Sequence, residues 1–293
     1  MTIRPRRSML FMPGSNTRAL EKARTLPADG LIFDLEDSVA PEAKAKARTQ
    51  VVAALKSGNY KPREVFVRVN SLDTPWCVED IDAAASAAPD GILVPKVSTP
   101  KQIEAIAQRL FDTRAAAHTR IWAMIETPLA VFNVLALAAE AHDSESRLGG
   151  FVMGPNDLAK ETRARMVPGR APMLSWFSTC IAAAHLYGID ILDGVYNDIG
   201  NAEGFAEECI QGRDLGFDGK TLIHPDQIEP CNAAFSPSAD EVAQAKKIIA
   251  AFDRPENNGN GAIQVDGHMV ERLHVDMARR TVAIAETITR HDA

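Results

Sequence analysis

The sequence has no excess of positive charge, no long apolar run and no paired cysteines, and each absence removes a class of function. Its 293 residues carry 32 Lys and Arg against 39 Asp and Glu, a formal net charge of -7, which leaves no basic footprint for wrapping nucleic acid. The apolar run after the basic segment Met1–Arg7 extends only from Met9 to Met12, too short for the core of a signal peptide. No stretch approaches the roughly 20 apolar residues a membrane span needs. Cys77, Cys180, Cys209 and Cys231 lie far apart with no CxxC pair, which argues against a zinc knuckle or a disulfide framework and for reduced thiols in the cytoplasm. Internal repeats and low-complexity tracts are missing as well. Nucleic acid and membrane are therefore not expected partners.

What is present is a regular alternation. Eight apolar runs rich in β-branched residues, Ser8–Met12, Gly30–Leu35, Val65–Asn70, Gly91–Val97, Ile121–Ile125, Gly150–Met153, Ile189–Gly194 and Gly219–Ile223, are each followed by a segment of helical character. Most are continuously apolar rather than alternating, as a parallel strand covered on both faces requires. Predicted helices between them include Ala19–Thr25, Pro41–Leu55, Lys101–Leu110, Pro128–Ala141 and Met173–Tyr187. This order predicts an α/β fold, a (β/α)8 TIM barrel. A doubly wound sheet competes, but it usually opens with a Gly-rich phosphate loop, and none follows the first strand. The barrel is expected over residues 1–235. Residues 236–293 form a C-terminal extension of helix, linker (Glu256–Gly261), short strand (Ala262–Val265) and helix (Glu271–Thr287), suited to a lid or a subunit contact.

In a parallel barrel the chemistry gathers at the carboxyl ends of the strands. Glu36 and Asp37 follow the second predicted strand, Arg68 and Asn70 end the third, Lys96 ends the fourth, Glu126 follows the fifth, and Asn156 and Asp157 follow the sixth after a Gly-Pro turn. Two carboxylates from adjacent strands, Glu126 and Asp157, with no His or Cys nearby in sequence, suit a hard oxygen-seeking ion such as Mg2+. Glu126 reads equally well as a helix-start charge, since Thr127 is a fair N-cap and Pro128 a good first residue. Arg68 within an apolar strand needs an anionic or carbonyl partner, which a salt bridge to Asp34 or Glu36 would also satisfy. Lys96 fits either an ion pair or the amine of a Schiff-base aldolase. Arg18 and Lys22, four apart after the turn Pro13–Asn16, fit a phosphate site or plain solvated charge, and the latter is the more economical reading. His224 has no serine or cysteine nucleophile signature to join.

Seven segments, FMPGSN (Phe11–Asn16), FDLEDSV (Phe33–Val39), VRVN (Val67–Asn70), VPKV (Val94–Val97), IETP (Ile125–Pro128), GPNDLA (Gly154–Ala159) and GKTLIHPDQI (Gly219–Ile228), run in the order found in one family. Together they resemble the citrate lyase β-subunit-like branch of the HpcH/HpaI aldolases, which includes malyl-CoA, citramalyl-CoA and citryl-CoA lyases and malyl-CoA thioesterases. The resemblance implies a Mg2+-dependent lyase that cleaves or condenses a 3-hydroxyacyl-CoA to acetyl-CoA or a related product plus a 2-oxoacid. A malyl-CoA-type thioesterase, or a citrate lyase β subunit acting on an acyl-carrier-protein thioester, is the alternative. It implies Mg2+ on Glu126 and Asp157, Arg68 at the thioester carbonyl, and Glu36 and Asp37 as proton carriers. Arg18, Lys22 and Asn156 would then contact the acyl-CoA. It also implies a homo-oligomer, trimer or hexamer, in which the C-terminal segment of one subunit closes over a neighbour's site. That segment usually carries an aspartate in a pattern like GKMVD; here Gly267–Glu271 reads GHMVE, so Glu271 stands where the family has the shorter acid. The extra methylene moves the carboxylate by more than an ångström unless the lid shifts, and a misplacement of that size costs on the order of 10²-fold in rate.

Overall fold

A computed structural model describes residues 4–292. Eight strands close into one parallel barrel in sequence order: β1 Ser8–Pro13, β2 Gly30–Asp34, β3 Glu64–Arg68, β4 Gly91–Val94, β5 Arg120–Ile125, β6 Leu148–Met153, β7 Asp190–Asp193 and β8 Gly219–Leu222, with β8 pairing back onto β1. The helices are α1 Thr17–Lys22, α2 Lys44–Ser57, α3 Cys77–Ala87, α4 Pro100–Asp112, α5 Pro128–Ala139, α6 Pro155–Thr162, α7 Leu174–Leu186, α8 Ala202–Leu215 and α9 Ile228–Phe235. The expected (β/α)8 architecture is thus the observed one, and a doubly wound sheet is excluded by closure.

Two-sided burial explains the unbroken apolar strands. Side chains alternate across the wall, so that Met9, Ile32, Phe66, Leu93, Trp122, Met124, Val152 and Leu192 fill the barrel interior. Phe66 and Trp122 pack with ring centroids 5.0 Å apart. Each fully buried large apolar side chain contributes roughly 1.5–3 kcal/mol. The covering helices follow ordinary rules. In α4, for example, Ile103, Ile106, Ala107 and Leu110 form the buried stripe, and Thr99 with Gln102 makes a capping box. At the amino ends of the strands Arg6 bonds Glu64 through Nε at 2.6 Å, reaches Asp190, and stacks 5.2 Å from the Trp122 ring. Arg7 forks onto Asp29 at 2.7 and 2.9 Å. These ion pairs belong to the end of the barrel that carries no chemistry.

The described residues divide into two compact units, one of residues 6–232 and one of residues 233–292 together with residues 4 and 5. The second contains α10 (Ala239–Phe252), β9 (Ala262–Val265), β10 (His268–Glu271) and α11 (Arg272–Asp292), with α10 packed on α11 and β9 antiparallel to β10. The two strands meet at Asp266–Gly267, both at positive φ (50° and 84°). An Asp-Gly pair between two short strands is the standard two-residue hairpin signal. β9 was expected from the sequence, and its partner β10 was not. Among the described residues no helix is long and apolar enough to cross a membrane, and the four cysteines are free and buried.

Candidate active site

The carboxyl ends of β2 to β6 bring one cluster of charged side chains together. Its base is a fork. Arg68, the last residue of β3, donates from Nε and Nη2 to the two carboxylate oxygens of Asp34, the last residue of β2, at 2.7 and 2.8 Å. Asp34 also accepts the N–H groups of Glu36 (2.9 Å) and Ser38 (3.1 Å), so the loop after β2 is folded around that carboxylate. Burial alone would raise the Asp34 pKa, but Arg68 and these hydrogen bonds outweigh it and hold the carboxyl below its ordinary value. The remaining nitrogen of Arg68, Nη1, faces Glu36 at 2.9 Å and Asp37 at 3.6 Å. The guanidinium also lies 4.7 Å from the Phe11 ring centroid. Both candidate acid partners of Arg68 are therefore engaged at once, through different edges of one planar group.

The loop backbone is pinned from behind as well. Lys44 Nζ donates to the carbonyls of Leu35 (3.0 Å) and Glu36 (2.9 Å), and Asn70 Nδ2 donates to Leu35 O at 2.9 Å. Neither Asp34 nor Lys44 was singled out as a site residue from sequence. Asp34 was visible as a partner for Arg68, whereas nothing local to Lys44 signals that its ammonium turns inward.

Glu126 sits between the end of β5 and the N-cap of α5. The capping work is done by its neighbour: Thr127 Oγ1 accepts the Ala130 N–H at 3.0 Å. Glu126 instead accepts the Lys96 N–H on Oε1 at 2.8 Å. Only 3% of the residue is exposed. Burial first, then the neighbouring carboxylates of Glu36 and Asp157, push its pKa up to about 8, against the opposing pull of the Lys96 N–H and Arg68. Asp157 is the third residue of α6 and half-buried. Between the two acids lies Gly154, where an added Cβ would fall 2.4 Å from Glu126 Cβ and 2.5 Å from Glu126 Oε2. The backbone ahead of α6 thus packs directly on the Glu126 side chain, an approach only glycine permits.

Lys96 completes the cluster. Its backbone is left-handed, with φ at 56°, which aims its N–H at Glu126. Burial lowers its pKa, but Asp157, Glu36, Glu126 and Asp37 outweigh that and hold it above its ordinary value. A Schiff-base lysine needs a neutral amine at working pH, whereas the carboxylates around Lys96 favour the charged ammonium. Glu36 is pushed up to about 7, by burial first and then, against Arg68, by Asp37 and Asp34.

A hard divalent cation fits this donor set. The structure crowds carboxylates around a buried Glu126 whose ionised form its neighbours disfavour, and a cation reverses that balance. Among the described residues no three His, Cys, Asp or Glu side chains form a closed ligand group. A pair of carboxylates leaving other positions to water and substrate is the arrangement of magnesium rather than of structural zinc.

The other candidates each have their own surroundings. Asn156 and Asn197 exchange amide hydrogen bonds of 3.2 and 2.8 Å, which ties the first turn of α6 to the loop after β7. Arg18 and Lys22 are exposed on α1, beyond the carboxyl end of β1. His224 caps the short turn after β8, its Nδ1 accepting the Asp226 N–H at 3.3 Å, a structural role. Glu271 is in β10 of the second unit, paired with Ala262, and its N–H donates to His274 Nδ1 at 2.9 Å.

The fold is a closed parallel barrel with acids and a buried arginine at its carboxyl rim, and sequence similarity shows the family it belongs to. The profile of the HpcH/HpaI aldolase/citrate lyase family matches residues 7–225, so the chain belongs to that family. It is 48% identical over 284 residues to a (3S)-malyl-CoA thioesterase of Cereibacter sphaeroides (strain KD131 / KCTC 12085), covering 97% of this chain and 96% of that protein. It is 35% identical over 288 residues to the citrate lyase subunit beta of Escherichia coli (strain K12), covering 97% and 94%. Among solved structures it resembles CitE from Mycobacterium tuberculosis in complex with magnesium, acetoacetate and coenzyme A, with a TM-score of 0.78, 27% identity, and coverage of 98% of this chain and 100% of that one.

Proposed function

We propose that this protein is a Mg2+-dependent enzyme acting on a malyl-type 3-hydroxyacyl thioester of coenzyme A, and that its chemistry is carbon-carbon cleavage to a 2-oxoacid and an acyl-CoA. The observation that carries this reading is the buried Glu126, flanked by Asp157 and facing the Arg68–Glu36 pair across one rim. The magnesium-bound CitE relative supports the choice of ion, and its coenzyme A supports the choice of carrier.

Glu126 and Asp157 are the residues that would hold Mg2+, which when bound supplies Lewis acidity toward the hydroxyl and carboxylate oxygens of the substrate. The chain's own groups do the rest. Arg68 is locked in place by Asp34, so its charge needs no reorganisation as negative charge develops on the thioester oxygen. Glu36, with a pKa of about 7, is suited to take the hydroxyl proton near neutrality. Asp37 extends the same acidic edge. Lys96 offers a positive charge to the oxoacid carboxylate. Arg18 and Lys22 on the β1 rim suit the phosphates of coenzyme A, and Asn156 the acyl portion. Glu271, arriving from a neighbouring subunit, would protonate the enolate carbon. The homo-oligomer that this requires is supported by α5, where Leu129 (52%), Phe132 (87%) and Leu135 (55%) stand exposed on one side of the helix.

A second reading is favoured by the 48% identity to a (3S)-malyl-CoA thioesterase: the same site would direct water to the thioester carbonyl, with Glu36 as its base. A panel of malyl-, citramalyl- and citryl-CoA, with Mg2+ or EDTA, separates the two when acetyl-CoA, oxoacid and free thiol are followed together. Oxoacid formation without free thiol is expected for the lyase; free thiol without oxoacid assigns the thioesterase. Glu126→Ala and Asp157→Ala should each abolish Mg2+-dependent turnover while remaining folded by circular dichroism, and full activity in EDTA or in either variant overturns the metal assignment.

A further inference from the structure

A second ionic cluster, outside the barrel wall, is not used by the reaction above. Asp193, at the end of β7, and Lys220, in β8, are both fully buried, and Lys220 Nζ donates to Asp193 Oδ2 at 3.0 Å. Arg170, from the turn before α7 and 3% exposed, donates from Nη1 to both oxygens of Asp193 at 2.7 and 2.8 Å. Glu208 of α8 accepts from Lys220 at 2.8 Å, and Gln211 of α8 accepts from Arg170 Nε at 2.8 Å. Replacing such a buried network with apolar side chains is often neutral or stabilising, so stability alone gives it no purpose.

Its hydrogen bonds converge on one peptide. Asp193 Oδ1 accepts the Gly194 N–H at 2.8 Å, Thr221 Oγ1 donates to the Asp193 carbonyl at 3.0 Å, and Lys220 Nζ donates to the Gly194 carbonyl. Every polar group of the 193–194 link and the carbonyl beyond it is therefore fixed. What faces Gly194 is Pro155, the first residue of α6: an added Cβ would lie 2.1 Å from its Cδ, 2.6 Å from its Cγ and 2.8 Å from the Met153 carbonyl oxygen. The segment Gly154–Pro155 is thus held between Glu126 on one side and the pinned Gly194 on the other, two residues before Asp157.

We propose that Arg170, Asp193 and Lys220, acting through Gly194, are positioning residues that seat Pro155 and so fix Asp157 relative to Glu126. The proposal rests on the reading that these two carboxylates bind the divalent ion. Supports behind metal ligands typically change metal affinity by about 10–100-fold when mutated.

The test measures Mg2+ binding to the full chain by titration calorimetry without substrate, alongside thermal melts and the Mg2+ dependence of turnover. Gly194→Ala leaves every charged group in place and pushes on Pro155; it is expected to weaken Mg2+ binding about 10-fold or more. Arg170→Gln removes one clamp while Lys220 still neutralises Asp193, and it should weaken binding in the same direction; if Gly194→Ala does not fold, this variant decides. Gly91→Ala is the control for a purely structural effect. Its Cβ would press on the Phe66 ring at 2.8 Å, and it should lower the melting temperature without changing Mg2+ affinity. Wild-type affinity in a folded Gly194→Ala or Arg170→Gln protein, or equal weakening in Gly91→Ala, overturns the positioning role. If Glu126→Ala and Asp157→Ala both bind Mg2+ as the parent does, the ligand assignment falls and takes this inference with it. If they lose binding while Gly194→Ala keeps it, only this inference falls.

Discussion

Arg68 contacts three acids, Asp34 through Nε and Nη2 and both Glu36 and Asp37 through Nη1, so its shape as well as its charge places Glu36. Lysine would keep the charge but offer no fork. Arg68→Lys is therefore expected to lower kcat by about 10²-fold, the cost typical of losing one preorganised donor, as measured by steady-state turnover of malyl-CoA. Wild-type turnover would reduce Arg68 to a structural ion pair. Residues of this kind are legible in sequence because physics constrains them from one side: a guanidinium between Val67 and Val69 must find an anion, and Asp34 and Glu36 lie at the end of the neighbouring strand. Glu126 was half legible. Sequence left it between ligand and helix-start charge with Thr127 as the N-cap; Thr127 does cap α5, and what sets Glu126 apart is its burial and its hydrogen bond from the Lys96 N–H. Gly154 and Gly194 were not legible as supports, since their contribution is space beside Glu126 and Pro155, and missing atoms leave no pattern. Asp193 and Lys220 lie far apart in sequence and meet only because β7 and β8 pair.

Elements were easier to read than their ends. Largely apolar runs marked all eight strands, yet several strands stop before the run does: β4 ends at Val94 rather than Val97, and β2 at Asp34 rather than Leu35. The chain leaves the sheet early to deliver side chains. After β4 the left-handed Lys96 turns its N–H to Glu126, a conformation that non-glycine residues rarely adopt and that no local sequence rule predicts. Helix α5 shows a different limit. It is apolar nearly all round, and a single chain buries only Ala130, Val134, Leu137 and Ala138. The exposed Leu129, Phe132 and Leu135 are a surface that water disfavours, and a second copy is the occupant proposed above. Phe132→Asp is therefore expected to leave the fold and the melting profile intact but reduce the mass measured by light scattering. An unchanged oligomer would remove α5 from the interface.

At the scale of the whole molecule, two sets of buried carboxylates give stability opposite dependences on pH. Asp34 and Asp193 have folded pKa values below their ordinary 3.8. In each case burial raises the pKa, but the cations, Arg68 for one and Lys220 with Arg170 for the other, outweigh it. Their contribution is present above pH 3.8 and is lost as pH falls below it, because the unfolded chain then binds more protons. Glu126 and Glu36 run the other way. Their ordinary value of 4.5 is raised to about 8 and about 7 in the fold, so between roughly pH 4.5 and 8 the native state holds protons that the unfolded chain has released, and stability declines as pH rises through that window. A divalent cation on the ionised carboxylates should reverse the second effect and leave the first untouched, because it binds the form that burial disfavours. Thermal melts between pH 3 and 9 in EDTA are therefore expected to peak near pH 4.5 and fall toward pH 8, and saturating Mg2+ should flatten that upper limb while the acid limb stays where it was. A Mg2+ shift of equal size at pH 5 and pH 8 would mean that the ion binds somewhere other than the Glu126 cluster.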